Sequence, residues 1–400
     1  MKVAVIGAGI GGLTLAQGLM RAGIDVTVYE RDSALDSRGQ GYRIHLHASA
    51  ALEACLPPDL YELCVATAGQ PSTQVTVMTS GLRILRRTDV NPTSIATSVN
   101  RQTLREILAA RLEDVIEFGR ACVGFTQDAD GVRVQFADGG QRDADLLVAA
   151  DGVGSPIRRQ YLPQLTVQET GSVCIYGRTT LTEQTRPLVP SALWNGFTAI
   201  VGGAVGMATG VLDFREAPDE AAQRIAPDVR LSAVPPYLMW ALTAQADAFA
   251  SGVDGLDPAG LHAVAMETIR SWHRDVRRLV ELASIEETTL IPIRSAVPIE
   301  AWTSTRVTLL GDAVHAMSPA RGSGANTALR DAALLAAELA SAARGEKDVV
   351  RAIADYEREM VTYGFEAVRA SREAGPAGGS RRRGGQLRSS LFRRLAGIRS

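Results

Sequence analysis

The chain is 400 residues long, 46% apolar and 22% charged, with 42 basic against 44 acidic side chains and a net charge of −2. That length exceeds the roughly 250–300 residues at which one core stops growing, so two domains are expected, and the ordinary apolar content excludes a disordered chain. The balanced charge argues against a nucleic-acid partner, which needs a basic surface to displace counterions, while 38 glycines beside only 5% aromatics point to backbone that approaches a ligand.

Residues 3–6 form a short β-branched and apolar run, as a buried parallel strand requires. Gly7, Gly9 and Gly12 follow as G-x-G-x-x-G, then a predicted helix over 13–22, a second strand over 25–29, and Glu30 at its end. Gly7 permits the tight turn, Gly9 admits a pyrophosphate to the backbone, and Gly12 lets helix and strand close together. The helix start offers unpaired N–H groups to phosphates, and Glu30 can accept hydrogen bonds from ribose hydroxyls. The pattern defines a dinucleotide site without separating FAD from NAD; Arg31 reads either as a partner for a 2′-phosphate or as a solvated strand-end charge. The apolar N-terminus superficially resembles a signal peptide, but its regular glycines and the interruptions at Gln17 and Arg21 favour strand and helix.

Residues 74–88 read as a hairpin. From 166 to 298 the helical rhythm weakens, and 174–181, 194–214 and 287–299 read as antiparallel strands, with Pro292 and Pro298 at edge positions. Ile175, Phe197, Val211 and Phe214 there are either core or the lining of an aromatic-sized pocket. Residues 260–283 read as one helix carrying His262 and His273. A second strand–loop–helix unit follows: strand 306–310, Gly311, Asp312, and a helix from Ala325 to about residue 343 preceded by Gly322 and Gly324. A ligand that reaches both units is long, with phosphates at one end; FAD fits, with adenosine at the first unit, ribityl at Asp312 and the ring above the helix start at Gly324, Ala325 and Asn326. His315 reads as a structural hydrogen-bonding group, and Arg330 and Asp331 as a local pair on the helix.

Cys55, Cys64, Cys122 and Cys174 form no Cys-x-x-Cys pair, so a reducing cytoplasm and no redox disulfide are expected. His45 and His47 alternate on one strand face, but with no third ligand nearby no metal site is expected. No run of about 18 apolar residues occurs that would cross a membrane.

Three ordered motifs, GAGIGG…YER (residues 7–31), DLLVAADGVGSPIRR (145–159) and LLGDAVHAMSPARGSGANTALRDA (309–332), resemble those of the para-hydroxybenzoate hydroxylase type of FAD-dependent aromatic hydroxylase, the class A flavoprotein monooxygenases. The resemblance covers about the first 370 residues. It implies an α/β fold in which a Rossmann-type, GR2-like FAD-binding domain (1–165 plus 300–374) is interrupted by a mostly antiparallel β-sheet substrate domain (166–299 with hairpin 73–98), with C-terminal helices. It also assigns Arg101 and Asp151 to the FAD, alongside Gly7, Gly9, Gly12, Glu30, Arg31, Asp312, Gly324, Ala325 and Asn326. Residues 41–52 resemble the segment that lies along the flavin, with Arg43 and His47 where relatives often carry Gly and Asn; both are candidates for the flavin–substrate interface, and Arg43 also for the cofactor. Arg321–Ala325 departs from the relatives' Gly-Gln-Gly.

The implied reaction uses FAD, a transient NADPH or NADH, and O2 to hydroxylate an aromatic or polyketide-like small molecule, by way of a flavin C4a-hydroperoxide. A Baeyer–Villiger or epoxidising outcome on the same fold, and a non-catalytic flavin-binding protein, stay open as alternatives. Residues 375–400 carry seven arginines and no acid, with Leu387, Leu391, Leu395 and Ile398 at helical spacing. This basic tail reads as a segment that packs on the body or moves behind its glycine linker, rather than as a stable membrane anchor.

Overall fold

The computed structural model describes residues 1–35, 43–46, 49–89, 97–319 and 322–374. The expectations for His47, Arg321 and the basic tail fall outside these residues. Two main sheets organise the described chain. The first is parallel throughout, in the order Val307–Leu309, Leu146–Ala149, Lys2–Ile6, Asp25–Tyr29, Ile116–Glu117. Its strands are short and apolar because both faces are covered: Val5, Val28 and the whole run Leu146–Ala149 are fully buried.

Two helices from opposite ends of the chain, Ile10–Arg21 and Gly324–Ala343, lie against each other. Small residues make this possible: a Cβ added at Gly11 would come within 2.6 Å of Leu310 and 3.3 Å of the Ala328 methyl, and one at Gly18 within 2.8 Å of the Ala336 methyl. Strand Val307–Leu309 next to strand Leu146–Ala149, itself next to Lys2–Ile6, then brings the chain's two strand–loop–helix units to the same end of one sheet.

The second sheet has seven strands in the order Thr289–Ala296, Val167–Thr180, Tyr237–Gln245, Val205–Leu212, Phe197–Gly202, Gln74–Thr79, Ile84–Asp89. Every pairing is antiparallel except that of Phe197–Gly202 with Gln74–Thr79, where the early hairpin joins. Pro292 sits on edge strand Thr289–Ala296, where its missing N–H costs no ladder bond. Strand Tyr237–Gln245, near the middle of this sheet, has no counterpart among the strands expected from sequence; its nearly unbroken apolar run does not alternate. A three-stranded antiparallel sheet, Cys122–Gln127, Val132–Phe136 and Gln141–Ala144, was likewise not anticipated.

The single helix expected over 260–283 is two, Pro258–Thr268 and Arg274–Glu281. The break is local chemistry: Trp272 is buried, and the extended backbone of His273 caps the second helix by accepting the Asp275 N–H on its ring nitrogen at 3.3 Å. These helices cover one face of the seven-stranded sheet, against Ile175, Leu238, Trp240 and Leu242, and Val211 packs on that side too. Cys174, Tyr176, Leu212, Tyr237, Met239 and Ile293 form the opposite face, with Phe197 and Phe214 packed on it. The four candidate pocket residues therefore divide, Ile175 and Val211 to the helix-covered core and Phe197 and Phe214 to the other face. Among the described residues no helix is long and apolar enough to cross a membrane.

Candidate functional site

The glycine-rich loop leaves the first parallel strand at Gly7, whose φ of +105° lies in the region only glycine adopts without strain. A Cβ there would come within 2.5 Å of the Ala150 carbonyl oxygen, and one at Gly12 within 2.1 Å of the Gly7 oxygen, so both positions are sealed against neighbouring backbone. Gly9 differs: nothing lies within 4 Å of its absent Cβ. The loop is thus closed at its ends and open at its crown, at the start of helix Ile10–Arg21.

Glu30 braces this loop. Its Oε2 accepts the Ala8 N–H at 2.8 Å and its Oε1 the Asp32 N–H at 3.0 Å. Arg105, buried and not among the residues singled out from sequence, donates Nε to the Ala8 carbonyl at 2.8 Å and Nη1 to the Leu35 carbonyl at 2.5 Å, with its charge 3.9 Å from Glu30. Its signal was present in the sequence, because Arg105 lies one helical turn beyond Arg101 on helix Arg101–Ala109. Arg31 is exposed, 3.8 Å from the Asp32 carboxylate.

Asp151 follows strand Leu146–Ala149, beside Gly7; burial pushes its carboxyl up to about 6, against the pull of Ser155 and Arg158. Ser155 caps the short helix Pro156–Tyr161 by accepting the Arg158 N–H at 2.9 Å. The Arg158 guanidinium reaches the Ala313 carbonyl at 3.2 Å and that of Val153 at 2.9 Å, tying this segment to the second unit.

Asp312 opens to solvent at its surface yet is crowded by protein, as a group on the floor of a cleft is. Burial raises its carboxyl, while His315 and Arg101 pull it down, so Arg101 and Asp312 share one electrostatic neighbourhood. Asn326, in the first turn of the twenty-residue helix Gly324–Ala343, donates Nδ2 to the His45 carbonyl at 2.8 Å and to the Gly322 carbonyl at 3.0 Å. Strand Arg43–Leu46 pairs antiparallel with Thr97–Asn100, which leads directly into Arg101. Asn326 thus holds the strand paired with the one that leads into Arg101, whose charge acts on Asp312.

Arg43 is buried where this two-stranded sheet meets the seven-stranded one. Its Nε donates to the Val211 carbonyl at 3.2 Å and its backbone N–H to the Tyr176 hydroxyl at 3.2 Å. Gly210 makes room for it, since a Cβ there would lie 2.6 Å from the guanidinium. Burial lowers Arg43 to about 10, still charged at neutral pH, and pushes the Tyr237 phenol up to about 12. Tyr237 accepts from Asn100 Nδ2 at 3.2 Å, and the Arg178 guanidinium, paired with Glu287, sits 5.3 Å above its ring.

The local Arg330–Asp331 pair expected from the sequence does not form. Asp331 turns inward to His315, Gly311 and Tyr363, and Arg330 stacks 3.7 Å over the Tyr363 ring. Helical spacing places neighbours i and i+1 on different faces, which is why the two part. His315 has the structural hydrogen bond expected of it.

These features suit an extended ligand: an open crown at Gly9, an accessible carboxylate at Asp312, an arginine beside it, and a long helix N-terminus at Gly324. A parallel sheet carrying the glycine loop, and a seven-stranded sheet bonded through Tyr176 and Val211 to Arg43 of the two-stranded ribbon that leads into Arg101, define a flavoprotein of the FAD-binding Rossmann class. The FAD binding domain family matches residues 1–188 and 262–371. The chain belongs to that family, and FAD is its cofactor.

The dual O-methyltransferase/FAD-dependent monooxygenase CTB3 of Cercospora beticola is 33% identical over 404 residues, 90% of this chain and 44% of the relative. The aurachin C monooxygenase/isomerase of Stigmatella aurantiaca is 28% identical over 384 residues, 94% of this chain and 90% of the relative. A crystal structure from Photorhabdus luminescens subsp. laumondii, assigned as an FAD-containing monooxygenase, superposes with a TM-score of 0.79 at 31% identity, covering 93% of this chain and 98% of that one. The chain spans less than half the length of the first curated relatives it matches.

Proposed function

We propose that this protein is an FAD-dependent monooxygenase that takes reducing equivalents from NADPH or NADH and inserts one atom of O2 into an aromatic or polyketide-like small molecule. The observation that carries the reading is the convergence of two distant glycine units on one end of the parallel sheet, with the apolar face of the second sheet bonded through Tyr176 to Arg43 on the two-stranded ribbon that leads into Arg101.

FAD, when bound, supplies the activation of dioxygen once it has been reduced. The rest is the work of this chain. The Gly9 crown and the helix behind it receive the pyrophosphate, and Glu30 holds the loop in shape for the adenosine, with Arg31 at its rim. Arg101, Asp151 and Asp312 would receive the polar middle of the cofactor, and Gly324, Ala325 and Asn326 would offer a helix N-terminus to its ring. Phe197, Phe214, Met239 and Tyr176 present an apolar and aromatic wall that accepts a flat substrate and excludes water from the reaction. Arg43 acts as a bracket between that wall and the strand beside the flavin.

In this reading residues 1–165 and 300–374 form the cofactor domain, and 166–299 with hairpin 73–98 the substrate domain. Two relatives, the FAD-dependent monooxygenase CTB3 of Cercospora beticola and the aurachin C monooxygenase/isomerase of Stigmatella aurantiaca, support a secondary-metabolite substrate. The unpaired cysteines, three of them buried and Cys122 half-buried, support a reducing, cytoplasmic setting.

The test is NAD(P)H oxidation by the yellow holoprotein across a panel of phenols and polycyclic polyketides. Stimulation by a substrate with product heavier by one oxygen atom supports the proposal. Flavin binding without substrate-stimulated turnover anywhere in the panel refutes it in favour of a flavin-carrying binding protein.

A further inference from the structure

Asp331 is fully buried on helix Gly324–Ala343. A buried carboxylate is costly unless it is paired and hydrogen-bonded, and this one is saturated. Its Oδ2 accepts the Gly311 N–H at 2.8 Å and lies 2.6 Å from Nε2 of His315, itself fully buried. Its Oδ1 accepts the Tyr363 hydroxyl at 2.7 Å.

Gly311 is held from its other side as well: its carbonyl accepts the N–H groups of Val314 at 3.0 Å and His315 at 2.9 Å. With φ +63° and ψ −142° it occupies backbone space closed to other residues, so its orientation depends on these bonds. The next residue is Asp312. Even the C-terminal helix is cut to accommodate the arrangement, since a Cβ at Gly364 would lie 2.8 Å from the His315 ring.

We propose that Asp331 is a positioning residue for the cofactor: its carboxylate, steadied by His315, holds the Gly311 peptide in the orientation that presents Asp312 to the polyhydroxylated middle of FAD. The assignment rests on FAD as the ligand of this cleft. Asp331 itself touches no cofactor. It couples the position of the long helix, whose first turn would face the flavin, to the Gly311–Asp312 turn that would hold the ribityl chain. Ring and chain are thereby kept in register by one buried carboxylate.

The experiment is fluorescence titration of FAD into apoprotein, with the melting temperature of the apoprotein recorded alongside. Asp331→Ala removes the Gly311 and His315 bonds together, and FAD affinity is expected to fall about tenfold or more, the scale of a lost charge-assisted hydrogen bond. Tyr363→Phe removes only the donor to Oδ1, and affinity is expected to stay within about twofold. Asp331→Ala that melts lower yet binds FAD within about twofold of wild type overturns the proposal, because Asp331 is then merely structural. Equal weakening by both variants overturns it too.

Should Asp331→Ala fail to fold, His315→Gln decides on the same titration: weakening of about fivefold or more supports the positioning role, and affinity within about twofold refutes it. Wild-type apoprotein that takes up no FAD would refute the cofactor reading itself, a result distinct from wild type and variant binding equally well.

Discussion

Replacing Glu357 by Gln should make the protein more stable at alkaline pH and leave it almost unchanged in mild acid. Glu357 lies on helix Val349–Ala374, 4% exposed, with Oε2 2.5 Å from the Ser304 hydroxyl and Oε1 2.7 Å from that of Thr308. Burial pushes its carboxyl from the usual 4.5 up to about 7, and those two hydroxyls only partly oppose the shift. The native state therefore holds a proton that the unfolded chain releases. Stability from this group is full below pH 4.5 and is lost as pH rises from there through about 7. At about 1.4 kcal/mol per pH unit over that window the loss amounts to about 3 kcal/mol by pH 8.

A neutral amide of the same shape avoids that loss, provided one of the two hydroxyls turns to accept its N–H. For a chain of this length about 3 kcal/mol corresponds to roughly 3–4 °C in melting temperature. The assay is thermal unfolding of the apoprotein, wild type against Glu357→Gln, from pH 5 to pH 8. The variant's advantage should grow with pH to a few degrees. A difference that stays constant across the range would refute the reasoning, since it would mean that Glu357 has the same charge in both states throughout.

The glycine loop gives a pair with opposite outcomes. Gly9→Ala meets nothing within 4 Å and keeps an ordinary negative φ, so the apoprotein should melt no lower, while its FAD dissociation constant rises about tenfold or more. Gly7→Ala, at φ +105° with its new methyl 2.5 Å from a backbone oxygen, should lower the apoprotein's stability by about 2 kcal/mol or more, read as an earlier thermal transition. Asn326→Ala frees the His45 carbonyl; FAD should bind several-fold more weakly and substrate-stimulated NAD(P)H consumption should release more hydrogen peroxide, both measurable on the purified holoprotein.

Much of the cofactor site was legible in the residues alone. Gly7, Gly9, Gly12 and Glu30 announce a strand–loop–helix because each meets one local need, whether a turn, an opening, a close approach or a hydrogen-bond acceptor at a strand end. The second unit at Gly311 and Asp312 is legible for the same reason. Local elements fared less well where the pattern was ambiguous, as in the central strand Tyr237–Gln245, whose continuous apolar run fits strand and buried helix equally. The break at His273 passed unseen because one capping residue leaves little trace in helical periodicity.

The glycines show the division clearly. Their number pointed to a ligand, and Gly9 does face open space, but Gly11 and Gly18 are small so that two helices from opposite ends of the chain can touch, and Gly210 and Gly364 so that Arg43 and His315 have room. The chain by itself determined the cofactor class and the two glycine-bearing turns, since those depend on backbone geometry that short spans encode. Tertiary structure alone decided which side chains stand behind them. Arg105 bracing Ala8, Asp331 pinning Gly311 and Arg43 bonded to Val211 are contacts between residues 20 to 168 positions apart, and a side chain's partner at such a distance is set by packing direction, which spacing along a sequence does not contain.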